Sequence, residues 1–177
     1  SRLGALGRMA ADRGTFGEHG AGNQLDRTVG GVEERVQHHV GAGGDQGLLV
    51  AAIGGSDDDR LYGGPGLDWL EGREGGDLLH GGDQRNTVDG GNGSDTLLGG
   101  HGDDRLLGRT DADSLYGGND SDRLDGGGGA DRLDGDLDDD LLYGGAGDDL
   151  LLGDPGNDYL SAGEGEDSLF GGGGNDN

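Results

Sequence analysis

The chain has 177 residues, 47 of them glycine, with only 29% hydrophobic and 4% aromatic, which is too little apolar material for an ordinary globular core. It has no cysteine, so neither a disulfide framework nor a thiolate metal site is available. A net charge of −25 makes a surface that repels nucleic acid phosphates and acidic headgroups and attracts cations, so nucleic acid is not expected as a partner.

Residues 1–53 are close to neutral, with 5 arginines against 6 acids. The stretch "VGGVEERVQHHVG" sets Val29, Val32, Val36 and Val40 near helical spacing, and Gly41 is placed to stop a helix. His38 and His39 are adjacent and so diverge on a helix; they read as a solvated pair rather than a metal site. "LLVAAI" (48–53) reads as a strand leading into the glycine-rich region that starts at Gly54. The segment is expected to be irregular or helical, a linker or a cap on the open end of a solenoid. No secretory signal pattern opens the chain, and no apolar run reaches the length of a membrane span.

Residues 54–177 hold 7 arginines against 31 acids. From Gly54 they divide into thirteen nine-residue units without an insertion or deletion, and "GGGGNDN" (171–177) begins a fourteenth. The eighth position is leucine in twelve units and Val88 in the other; the sixth is aspartate in thirteen of fourteen, with Asn86 the exception. Three residues centred on position eight are expected to form a short strand whose middle side chain points inward. The preceding Gly-Gly-x-Gly-x-Asp is expected to form a turn, its glycines supplying positive φ. Where the fourth glycine is missing, Asp57, Asp111, Asp120 and Asp138 tolerate the left-handed region; Gln84 does not fit that logic.

Two units bring the chain round once, so 18 residues make a coil and the Leu side chains lie between two parallel sheets. Equivalent residues then stack at i and i+18. One ladder holds Asp59, Asp77, Asp95, Asp113, Asp131, Asp149 and Asp167; the other holds Asp68, Asn86, Asp104, Asp122, Asp140, Asp158 and Asp176. Carboxylates stacked at a strand spacing of about 4.8 Å repel one another by roughly 3 kcal/mol at an effective dielectric near 20. The same spacing matches a calcium ion, whose opposite ligand oxygens lie about 4.6–5.2 Å apart. Magnesium demands smaller octahedral geometry, zinc prefers His or Cys, and no histidine recurs with the period. Calcium also needs about 6–8 oxygens, so turn carbonyls must supply those the carboxylates do not.

"GGNGSDTLL" (90–98) and "GGHGDDRLL" (99–107) match G-G-x-G-x-D-x-U-x in full, and residues 54–177 closely resemble the RTX, or haemolysin-type, calcium-binding repeats. The resemblance implies an all-β fold, a right-handed parallel β-roll of nonapeptide repeats with 18 residues per coil. It also implies calcium between turns on the same side, up to about twelve ions over the twelve gaps of the two ladders. Carried over by position, the fourteen ladder residues named above are the side-chain ligands. Secretion to the extracellular medium by a type I exporter is implied by the resemblance alone. That exporter reads a C-terminal signal, whereas this chain stops inside a repeat and reads as a fragment.

The repeats are not uniform. Arg73, Arg109, Asp136 and Asp154 replace a second glycine, and Ala162 replaces a first one. The unit "GGDQRNTVD" (81–89) combines Gln84, Asn86 and Val88, so poor calcium sites are expected on both sides of Asn86. No H-E-x-x-H or G-x-S-x-G motif is present, and the chain is read as a non-enzymatic calcium module that folds on extracellular calcium. The alternative is an accessory module of adhesin or epimerase type that binds a polysaccharide or a cell surface. Outward-pointing Arg60, Arg105, Arg123 and Arg132, with Trp69, are the residues that would serve it.

Overall fold

In the computed structural model, residues 51–177 are described; the expected helix over Val29–Val40 and the His38-His39 pair lie outside them. Fourteen strands alternate between two sheets. One sheet takes β1 (Ala51–Ile53), β3 (Trp69–Glu74), β5 (Thr87–Asn92), β7 (Arg105–Thr110), β9 (Arg123–Gly128), β11 (Leu141–Ala146) and β13 (Tyr159–Glu164), in that spatial order. The other takes β2 (Arg60–Pro65), β4 (Leu78–Asp83), β6 (Thr96–His101), β8 (Ser114–Asn119), β10 (Arg132–Asp136), β12 (Leu150–Leu152) and β14 (Ser168–Phe170). Every pairing is parallel with residue i opposite i+18, as in Leu70↔Val88 and Leu97↔Leu115. No helix occurs among the described residues, and none there is long and apolar enough to cross a membrane.

The nine-residue period explains this shape directly. Position eight faces inward in every unit, and Leu61, Leu70, Leu79, Val88 and their successors to Leu151 form a single file of fully buried side chains. Ala52 fills the same place one coil before Leu70, so the last three residues of "LLVAAI" already belong to the roll. At the other end the file opens: Leu160 is only partly buried and Leu169 is exposed.

Most strands have six residues, not the three the spacing suggests. They run from position seven through the two glycines to position three of the next unit, because the glycines stay in register (Gly82↔Gly100). Positions eight and one are then buried on the same face, with position nine between them pointing outward.

The two glycines serve different needs. Gly100, at a second position, has φ +116, where a side chain is strained. Arg73, Arg109, Asp136 and Asp154 hold positive φ there without being glycine. Arg109 is compensated by a forked ion pair with Asp89, Nε to Oδ1 at 2.9 Å and Nη2 to Oδ2 at 2.6 Å. The first glycine has ordinary φ and is required by space. A Cβ at Gly99 would stand 2.5 Å from the carbonyl oxygen of Gly117 and 2.6 Å from Oδ2 of Asp104. At the fourth position Gln84, Asp111, Asp120 and Asp138 all take positive φ, whereas Asp57 does not. Asp57 lies in the first described turn, which has no described turn stacked beneath it to impose the conformation.

Candidate metal centre

The sixth-position side chains stack along the edges of the two sheets as the ladders require. Asp59, Asp77, Asp95, Asp113, Asp131 and Asp149 are buried in one, and Asp68, Asn86, Asp104, Asp122, Asp140 and Asp158 in the other. Asp167 is half-buried and Asp176 exposed, where the roll ends.

One hydrogen bond recurs in every gap. The backbone N–H of each rung donates to Oδ1 of the rung 18 residues on. In the first ladder Asp59 donates to Asp77 (2.7 Å), Asp77 to Asp95 (2.8 Å), Asp95 to Asp113 (2.8 Å), Asp113 to Asp131 (2.8 Å), Asp131 to Asp149 (2.9 Å) and Asp149 to Asp167 (2.9 Å). In the second, Asp68 donates to Asn86 (2.9 Å), Asn86 to Asp104 (2.6 Å), Asp104 to Asp122 (2.7 Å), Asp122 to Asp140 (2.8 Å), Asp140 to Asp158 (2.9 Å) and Asp158 to Asp176 (3.1 Å). These bonds fix each carboxylate and leave its other oxygen pointing elsewhere.

That other oxygen decides the chemistry. Oδ2 of Asp77, Asp95, Asp104, Asp113, Asp122, Asp131, Asp140, Asp149 and Asp158 is buried and accepts no hydrogen bond. It lies beside the first glycine of its own unit; for Asp77, Asp104, Asp113, Asp122, Asp131 and Asp158 the carbonyl of the first glycine one coil on also arrives there, and for Asp149 that of Ala162. Two acceptors converge with no donor between them. A buried oxygen in that condition is expensive unless it takes a proton or a cation. Burial accordingly pushes the Asp95, Asp104, Asp113 and Asp140 carboxyls up to about 7, and Asp122 to about 8. Asp77 and Asp131 rise to about 6. In each case the backbone hydrogen bond opposes the rise, and neighbouring aspartates add to it. Anionic oxygens and carbonyls that are rigidly held, spaced by the coil and short of donors form a donor set for a hard divalent cation.

The match to known repeats agrees with this geometry. The RTX calcium-binding nonapeptide repeat matches residues 53–88, 80–115, 107–142, 116–151 and 143–177. The chain belongs to that family. It therefore carries a calcium-binding repeat module built as a parallel β-roll. No curated protein matches it.

Calcium's ligand number calls for carbonyls from the Gly-Gly-x-Gly-x-Asp segment, and among these the carbonyl of the first glycine, which lies in the strand, comes close to the aspartate of the preceding coil. A signal for this is present in the repeat. The first glycine is broken only at Ala162, while the second is broken four times and the fourth five times. A position that admits nothing larger than the alanine of Ala162, without a positive φ to explain it, marks a crowded contact.

Asn86 departs from the other rungs in a specific way. Its Oδ1 accepts from Asp68 as an aspartate would, but its Nδ2 donates to the backbone carbonyl of Gln84 at 2.8 Å. A Cβ on Gly81 would be 2.7 Å from the Gly99 carbonyl and 2.8 Å from this Nδ2, so the amide nitrogen stands where other rungs present Oδ2. This rung is satisfied without a cation.

Proposed function

We propose that the roll is a calcium-operated folding module of a secreted protein. Its side-chain ligands are Asp59, Asp77, Asp95, Asp113, Asp131, Asp149 and Asp167 on one edge, and Asp68, Asp104, Asp122, Asp140, Asp158 and Asp176 on the other, where Asn86 is a weak, neutral rung. The observation that carries this reading is the buried Oδ2 without a hydrogen bond, repeated coil after coil beside a glycine carbonyl. The chain reaches the extracellular medium unfolded, through a type I exporter, and folds where calcium is plentiful. Sites of that setting have affinities of roughly 10⁻⁴–10⁻³ M, which leaves the cytoplasmic form without calcium. The outward arginines favour this over a surface-binding role, because Arg123 and Arg132 pair with Asp125 and Asp134 on their own strands.

Each interior aspartate serves two gaps. Asp131 accepts from Asp113 through Oδ1 and donates its N–H to Asp149. Asp131→Ala should therefore abolish two calcium sites, not one. At calcium tenfold above its dissociation constant each lost ion removes about 1.4 kcal/mol, beyond the lost hydrogen bond. Isothermal titration calorimetry that finds one ion missing, or none, would contradict shared ligation.

Asn86 should divide the module. The gap between Asn86 and Asp104 is the weaker of its two, since it faces the amide nitrogen, and residues 90–170 should fold at lower calcium than residues 54–89. Asn86→Asp with Gln84→Gly restores both the carboxylate and the fourth glycine, whose place Gln84 holds at φ 68. The double variant should merge two calcium transitions into one and bind at least one ion more. Limited proteolysis across the titration reads the difference, and a wild-type chain protected throughout in a single step would rule the division out.

A further inference from the structure

We infer that the roll carries a second kind of divalent-cation site, on the outer face of a sheet, formed by Asp134, Asp136 and Asp154. One carboxylate oxygen from each lies within 4.8 Å of the other two. None of the three is a sixth-position residue. Asp134 follows the core residue Leu133 on β10 and so projects from the opposite face of the sheet, away from the ladders. Asp136 lies two residues further along the same strand, and Asp154 occupies the equivalent place one coil on.

Acidic clusters on an acidic protein are common, and the buried member is what sets this one apart. Asp134 is only 7% exposed. Its Oδ2 receives the guanidinium of Arg132, which also lies 5.8 Å from the ring centroid of Tyr116 on β8. Its Oδ1 is buried with no hydrogen-bond donor, and one oxygen of the Asp134 carboxylate lies within 4.8 Å of one from Asp136 and one from Asp154. Three carboxylates against one arginine leave a local charge of −2. A divalent ion satisfies both the charge and the orphaned oxygen, whereas a water could donate to Oδ1 but would not neutralise the cluster.

Size selects the ion. Three points no more than 4.8 Å apart lie within about 2.8 Å of a common centre (the separation divided by √3), close to calcium–oxygen distances of about 2.3–2.6 Å. Magnesium at about 2.0–2.1 Å would need a larger contraction, and an all-carboxylate set without His or Cys does not suit zinc. Asp136 and Asp154 are more open than Asp134, so water can complete the shell. Bound there, the ion ties β10 to the segment after β12 from outside, across one coil boundary.

The site shares no residue with the ladders, although Asp136 and Asp154 add to the repulsion felt by the rungs Asp140 and Asp158, and its test separates the two. Asp136→Gly with Asp154→Gly restores the glycine of the repeat at two positive-φ positions, so the fold is not endangered. Calcium per chain is counted by atomic emission after equilibrium dialysis of the full chain at saturating calcium, and circular dichroism gives the folding midpoint. The double variant should bind one ion fewer than wild type, with no shift of the midpoint to higher calcium; Asp134→Asn should lose the same ion. An unchanged count in the double variant overturns the site. So does a loss of several ions with a raised midpoint, since these aspartates would then act through the interior ladders. A wild-type chain that folds without calcium would sink the ladder reading and still allow this count to be made.

Discussion

Stripped of calcium at neutral pH, residues 51–177 should lose most of their β-sheet circular dichroism and recover it cooperatively when calcium is returned. The core is one leucine wide, a single buried side chain for every nine residues ordered. Nothing larger stands behind it: among the described residues, the big exposed apolar groups such as Trp69 (48%) and Phe170 (59%) add little buried area. Against that thin core, the metal-free roll holds two files of carboxylates whose adjacent members repel by roughly 3 kcal/mol at an effective dielectric near 20. Each file also leaves buried Oδ2 atoms without a donor. Bound calcium reverses both terms at once, converting the repulsion into shared ligation and satisfying the oxygens. Since one aspartate borders two gaps, the first ions order the rungs that later ions need, and the titration should be steep within each of the two segments that Asn86 divides. The midpoint belongs in the range of extracellular calcium modules, about 10⁻⁴–10⁻³ M. A β-rich, well-dispersed spectrum in excess chelator at pH 7.5 or above would show that the leucine file and backbone pairing suffice alone.

The repeat made the architecture legible because its period is strict. An eighth-position leucine and a sixth-position aspartate at fixed intervals leave one way to close the coil, and the 18-residue register follows from the alternation of sides. Strand length was not legible, because a Gly-Gly pair looks like a turn until its neighbour one coil away is seen to be the same pair in register. Asp57 illustrates a different limit: its letter matches Asp111 and Asp120, but it lies in the first described turn, with no described turn beneath it to impose their positive φ. The outer cluster was hidden for a third reason. Asp136 and Asp154 read as defects in the glycine pattern, and only the 18-residue register brings both to Asp134.

Acid should substitute for calcium. The ordinary carboxyl value of 3.8 applies to the unfolded chain, whereas burial raises the folded values to about 6 for Asp77 and Asp131, about 7 for Asp95, Asp104, Asp113 and Asp140, and about 8 for Asp122. The folded roll therefore binds more protons than the unfolded chain throughout the interval between these values. Their stabilising contribution is complete below the unfolded value and is lost as pH rises through about 6 to 8, each pKa unit being worth about 1.4 kcal/mol. A proton on Oδ2 supplies the missing donor to the neighbouring carbonyl and removes the repulsion, as the ion does. The calcium-free chain should thus gain β-structure on acidification from pH 8.5 to about 5, stopping short of the sequence isoelectric point of about 4.1, where solubility fails. With calcium present the dependence has the opposite sign, because protons displace the ion, and the folding midpoint should rise to higher calcium as pH falls. Asp122→Asn separates the two effects. Its amide mimics the protonated rung, as Asn86 does beside Gln84, so the variant should fold more readily without calcium at pH 7.5 and bind fewer ions with it. If the calcium-free chain is as unstructured at pH 5 as at pH 8.5, the buried ladder carboxylates are not what keeps it open.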